Sequence, residues 1–147
     1  MKKIIFVDFD DTICLHKGRI FSKNYINKTS NPYKSSLKND DLINFLNEKN
    51  RKGWDIILLT NASSFMLSHK IKWCINNCPF RFKEYIALSV DCTKKHFIEA
   101  FLKQYKVDKA IFIDDKPTER HELENNKKVK VFSPQLISTS KYSQLRS

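Results

Sequence analysis

Residues Ile4-Ile5-Phe6-Val7 run directly into Asp8-Phe9-Asp10-Asp11-Thr12. A short apolar run with β-branched members, bounded by polar residues, reads as a strand buried on both faces, the pattern of a parallel-sheet core. A strand that delivers carboxylates to its C-terminal end places them where open α/β sheets hold their ligands. Asp8 and Asp10 repel each other, so such a pair is normally maintained by something cationic. A hard ion that takes oxygen ligands, Mg²⁺ above all, suits them. A strand ending in a solvated acidic turn would look the same locally, so the rest of the chain has to decide.

Beyond Thr12, residues 13–36 are mixed in character, with Lys17-Gly18-Arg19 as a turn signal, and read as a hairpin or flap. Leu42, Ile43, Phe45 and Leu46 recur at helical spacing behind Asp40 and Asp41, and Gly53 stops this helix. Trp54 to Leu59 is a second strand ending in Thr60-Asn61. Ser63 or Ser64 caps the following helix, which carries Leu67, Ile71, Cys74 and Ile75 and ends by Pro79. Tyr85 to Val90 is a third strand, and Asp91-Cys92-Thr93 leads into a helix with Phe97, Ile98, Phe101 and Leu102. Ala110 to Ile113 is a fourth strand ending in Asp114-Asp115. A helix from about Pro117 to Asn125 and a fifth strand, Val129 to Phe132, complete the pattern, with a frayed tail expected over about 134–147. Strands alternating with helices predict a three-layer α/β/α sandwich around a five-stranded parallel sheet, as one domain over residues 1–147.

Bulk properties narrow the class. A chain of 147 residues has room for one core and little decoration. No apolar run reaches the roughly 20 residues of a membrane span, and acids interrupt the only apolar stretch near the N-terminus, so a cytoplasmic protein is expected. Cys14, Cys74, Cys78 and Cys92 lack the spacing of a zinc set and read as reduced thiols. The net charge of +11 favours acidic partners, nucleic acid first, although the lysines are spread along the chain and also suit a plainly solvated basic surface.

Four strand ends carry polar groups: Asp8 with Asp10, Thr60, the segment Asp91 to Lys95, and Asp114 with Asp115. In a parallel sheet these ends share one edge. Phosphoryl transfer uses such equipment, namely a nucleophile, a metal, a hydroxyl donor and a cation on the phosphate oxygens.

On these residues the chain resembles the haloacid dehalogenase (HAD) superfamily of phosphohydrolases. Asp8, Asp10 and Thr12 match its first motif and Thr60 the second. A lysine entering a helix matches the third, and Asp114 with Asp115 the fourth. The resemblance implies that Asp8 is the nucleophile, forming an aspartyl-phosphate, and that Asp10 protonates the leaving oxygen and then deprotonates water. A pKa of Asp10 raised by nearby Asp8 would help. Mg²⁺ would be held by Asp8, the Asp10 carbonyl and Asp114, with Asp115 in support, while Thr60 would bond a phosphoryl oxygen. The presence of Asp10 favours phosphate esters over other HAD substrates. The motif lysine is Lys95 or Lys94; spacing of four from Asp91 and nineteen to Asp114 favours Lys95. Asp11 stands where many members have Gly, and Asp tolerates such turns.

Neither interval between motifs has space for a cap domain, so an open site and a large substrate are expected. The chain is also similar to the 3′-phosphatase domain of phage-type polynucleotide kinases. That domain carries an Arg nine residues after the second acid, as Arg19 follows Asp10, and an Asp four before the lysine, as Asp91 precedes Lys95. Arg19, Asn61 and Asp91 are therefore the expected substrate-binding residues. Ala62 replaces an Arg of that domain, and no kinase P-loop is present. The resulting expectation is a Mg²⁺-dependent phosphomonoesterase acting on polynucleotide 3′-phosphate ends. The rivals are a small-molecule or nucleotide phosphatase, a nucleic-acid-binding protein on an inactive phosphatase fold, and a receiver-type phosphoacceptor. The last fits poorly, because its accepting Asp ends the third strand.

Overall fold

A computed structural model describes residues 1–16, 32–33 and 36–137. β1 (Lys3–Val7) is followed by β2 (Cys14–Leu15), β3 (Leu37–Lys38), α1 (Asp40–Arg51), β4 (Asp55–Asn61), α2 (Ser64–Asn77) and β5 (Glu84–Leu88). Then come α3 (Lys94–Gln104), β6 (Lys109–Ile113), α4 (Pro117–His121), β7 (Val129–Phe132) and α5 (Pro134–Ile137). Five strands form one parallel sheet in the order β5-β4-β1-β6-β7.

The alternation of side chains along each strand divides the core into two layers. Ile5, Val7, Ile56, Leu58, Ile111 and Ile113 pack with Leu42, Phe45, Leu46 of α1 and Trp73, Cys74 of α2. Ile4, Phe6, Ile57, Leu59 and Phe112 face the other way, onto Ile98, Phe101 and Leu102 of α3 and onto Leu123. β1 is paired on both sides, which explains why Ile4 to Val7 are apolar without a break.

Local signals act as the residue types require. Asn39, Ser63 and Thr93 cap α1, α2 and α3 by accepting from the backbone N–H three residues on. Gly53 follows α1 with φ +97°, a conformation that only glycine takes without strain. The four cysteines are free thiols.

Several boundaries differ from the sequence reading. β5 ends at Leu88 rather than Val90, which is fully exposed, and α4 stops at His121. Pro134 to Ile137, expected to fray, form a helical turn with Ile137 buried in the core beside α1. The flap is seen only at its base, where β2 pairs antiparallel with β3; its middle, with Arg19, and the tail from 138 lie outside the described residues. Among the described residues no cap domain covers the C-terminal edge of the sheet, and no helix is long and apolar enough to cross a membrane.

Candidate active site

Asp8 leaves the end of β1 directly into a tight turn. The Cys14 N–H and Thr12 N–H both donate to the Phe9 carbonyl, and the Asp11 N–H donates to the Cys14 carbonyl at 2.8 Å. Asp11 takes φ +54° at the bend, a left-handed conformation that Asp tolerates better than most residues. The turn aims Asp8 and Asp10 to different sides.

On one side Asp8 is buried with Asp114, Asp115 and Lys94. Lys94 Nζ donates to Asp8 Oδ1 at 2.9 Å and to Asp114 Oδ2 at 2.6 Å, and its side chain is only 3% exposed. Thr12 Oγ1 donates to Asp8 Oδ2 at 3.1 Å, with Asp115 Oδ1 3.4 Å away. Asp114 is fixed further by the Lys116 N–H on Oδ1 and by Arg120 Nη1 on its carbonyl. Lys94 is the first residue of α3, where the helix dipole disfavours a cation; the two carboxylates offset that cost. Burial would push the Lys94 ammonium down, yet Asp8 and Asp114 beside it more than compensate and hold it above its ordinary value. The Asp8 carboxyl is pushed up to about 7, by burial first and then by neighbouring Asp114 and Asp10, with Lys94 opposing. Asp115 is also raised, by burial and by Asp114 and Asp11.

Asp10 has the opposite surroundings. Its Oδ1 meets His16 Nε2 at 2.8 Å and its Oδ2 accepts from Lys70 Nζ at 2.9 Å. Burial acts to raise the carboxyl, but the His16 and Lys70 contacts together outweigh it and hold Asp10 below the usual carboxylate range. This corrects the expectation of an Asp10 raised by Asp8. Lys70 also donates to Thr60 Oγ1 at 2.6 Å, and its ammonium lies 5.3 Å from the centre of the Phe9 ring. His16 stacks on Tyr33 and its Nδ1 contacts Ser36 Oγ.

The sheet edge thus brings together Asp8, Asp10, Thr60, Lys94, Asp114 and Asp115. The spacing-based preference for Lys95 does not match the geometry: Lys95 points away, 3.7 Å from Glu99 one turn along α3, and is 40% exposed. Asn61 and Asp91 are exposed at the same edge, on the end of β4 and in the turn before α3. Sequence reasoning missed Lys70 and His16. Lys70 lies on the side of α2 that carries Cys74, so a lysine on the apolar face was its signal; His16, beside a strand of two residues, gave none.

Asp8, Asp114 and Asp115 each offer an oxygen within 4.8 Å of the others. Three carboxylate oxygens gathered this closely form a donor set that fits a hard divalent cation such as Mg²⁺. The Asp10 carbonyl, 3.5 Å from the Thr12 hydroxyl, borders the same group.

No family model matches the chain, and no curated protein matches it. Solved structures do. A chain of the Pnkp1/Rnl/Hen1 RNA repair complex superposes with a TM-score of 0.65 at 16% identity over 90% of this chain. A second structure of the Pnkp1/Rnl/Hen1 complex gives 0.66 at 16% identity. The present chain spans 42% and 46% of those two chains, less than half of each. The HAD domain of effector protein Lem4 from Legionella pneumophila gives 0.58 at 17% identity, over 90% of this chain and 85% of that one. These likenesses show a HAD-like fold.

Proposed function

We propose that the chain is a Mg²⁺-dependent phosphatase of the HAD type, acting through an aspartyl-phosphate on Asp8, with polynucleotide 3′-phosphate ends as substrate. The observation that carries this reading is the placing of Asp8 at the sheet edge between Lys94, Asp114, Asp115 and Thr12, with Asp10 and Thr60 across the same turn. Lys94 and the Thr12 hydroxyl would hold the Asp8 carboxylate in one orientation for attack on phosphorus. As the phosphorus–oxygen bond breaks, the leaving oxygen takes a proton from the hydrogen-bonded Asp10–His16 pair. In the second step Asp10 accepts a proton from the attacking water, phosphate departs, and the Asp8 carboxylate is restored. Thr60, tied to Asp10 through Lys70, would bond a phosphoryl oxygen. A bound Mg²⁺, held by Asp8, Asp114 and Asp115 with the Asp10 carbonyl, would offset the carboxylate and phosphate charge. Asn61 and Asp91, with Arg19 in the flap, would meet the remainder of the substrate.

A large substrate suits a sheet edge that carries no cap among the described residues, and the net charge of +11 suits a polyanion. The likeness to chains of an RNA repair complex points the same way. Phosphate release with Mg²⁺ from matched 3′- and 5′-phosphorylated oligonucleotides and from mononucleotides tests the proposal. Release from 3′ ends, absent in Asp8→Asn, is expected. Preference for mononucleotides would instead make the protein a nucleotide phosphatase. Failure on these and on a generic aryl phosphate, by folded Mg²⁺-loaded protein, would sink the catalytic reading.

A further inference from the structure

The opposite end of the sheet carries the reverse charge. Lys3 and Lys109 open the neighbouring strands β1 and β6 and stand in register. Beside them, between β6, β7 and the last turn of α1, lies a cavity of about 440 Å³. Its floor includes Trp54, Ile111 and Phe132. Five lysines line it, among them Lys49 of α1, Lys109 of β6 and Lys130 of β7. The single acid in the lining, Asp108, accepts from the Lys2 backbone N–H at 2.6 Å.

Two of these lysines stand on the α1 side of the sheet, Lys49 buried and Lys130 exposed on the margin strand. Lys130 pairs with Ile111 and so stands on the row of β7 that faces the α1 layer. Lys49 belongs to the buried face of α1 with Leu42, Phe45 and Leu46, and its ammonium lies 5.5 Å from the centre of the Trp54 ring. Lys3 is 5.5 Å from the same ring. Crowding is felt: burial, then Lys52 and Lys3, push the Lys49 ammonium below its ordinary value. Lys3 and Lys49 both lie over the Trp54 ring, and with Lys109, Lys127, Lys128 and Lys130 they make the cavity strongly electropositive, a setting that favours an anion. The volume suits a small molecule with a ring.

We propose that this cavity is a binding site for a nucleoside phosphate, free or as one unit of a strand, with the base on the Trp54–Phe132 floor and the phosphate among Lys49, Lys109 and Lys130. It is separate from the Asp8 cluster: β6 runs from Lys109 to Ile113 between the two, on the order of 15 Å. It therefore does not depend on the phosphatase reading, and its test measures binding rather than turnover.

The test is titration of the full chain with ADP at low salt, followed by tryptophan fluorescence and calorimetry. Lys109→Gln/Lys130→Gln is compared with a charge-matched control, Lys95→Gln/Lys103→Gln, on the exposed side of α3. ADP binding should weaken about tenfold in the first double variant and less than twofold in the control. Tripolyphosphate, which has charge without a base, should bind about tenfold more weakly than ADP. A 12-nucleotide RNA that binds more tightly than ADP assigns the site to a strand, and one that binds more weakly assigns it to a free nucleotide. Equal losses in the two double variants, tripolyphosphate as tight as ADP, stronger competition by a poly-aspartate peptide, or absence of ADP binding would each overturn the proposal.

Discussion

Asp8 and Asp10 sit two residues apart on one turn, and the two sides of that turn are electrostatic opposites. On the Asp8 side two buried carboxylates, Asp8 and Asp114, share one ammonium, Lys94, with the partly buried Asp115 beside them. On the Asp10 side one half-exposed carboxylate faces two basic groups, Lys70 and His16. Burial first, and then Asp114 and Asp10, raises the Asp8 acid to about 7 against the pull of Lys94, and the gathered oxygens make this side a natural seat for a divalent cation. The Asp10 side is well supplied and keeps its acid ionised. Identical residue types are thus given different proton affinities by their neighbours, and a cation on the Asp8 side would bring that carboxyl back toward its ionised form.

The largest expected effect is on Asp8. Asp8→Asn should reduce phosphate release by at least about 10³-fold with the fold intact; an active variant would place the nucleophile elsewhere. Lys94→Met comes next, since it leaves Asp8 and Asp114 buried without their counter-ion, at a cost of about 3 kcal/mol in urea unfolding. Mg²⁺ should recover part of that loss, and no recovery would argue that the acids do not share a cation.

Lys70→Met tests the other side. Removing one of the groups that depress Asp10 should move the acidic limb of the pH–rate profile upward and lower kcat by about 10- to 100-fold, with KM less affected. A loss of stability with no movement of that limb would reduce Lys70 to a structural role.

A smaller effect follows from the pH dependence of folding. The Asp8 carboxyl titrates near 7 in the fold against 3.8 in the unfolded chain, so folding takes up a proton between these values. Its contribution makes metal-free stability fall as pH rises from about 4 to about 7, and the loss persists above that. Asp8→Asn should therefore raise the metal-free Tm more at pH 8 than at pH 5, by roughly 2–6 °C. Equal shifts at both pH values would contradict the burial of an ionising Asp8.

The smallest effect is expected of Lys95→Met, within about 0.5 kcal/mol and without loss of activity, because Lys95 makes only an exposed pair with Glu99. Lys94 and Lys95 variants behaving alike would erase the contrast altogether.

What could be read beforehand follows physical range. Ile4 to Val7 and the acids after them specify a central strand and its polar end by local pattern alone, and the helices follow from periodicity and caps. The choice between Lys94 and Lys95 was not local. Successive residues of a helix differ by about 100°, so which lysine faces the acids depends on the path of Asp91 to Thr93, and residue spacing carries no such information. Asp10 was misjudged for a related reason: its nearest neighbour in sequence is an acid, whereas its partners in space come from α2 and the base of the flap. Ile137 shows the same in the core, a tail residue recruited by α1.

The central position of β1 bears on how the site can fail. Its strand is paired on both sides and its four inner residues are fully buried, whereas β5 and β7 form the margins of the sheet. Margins open by local fluctuation, but the amides of Ile5, Phe6 and Val7 can exchange with solvent only when the sheet as a whole comes apart. Heating should accordingly leave the carboxylate turn assembled until global unfolding, with deuterium uptake at β1 the last to appear and partial loosening confined to elements that carry none of the buried acids.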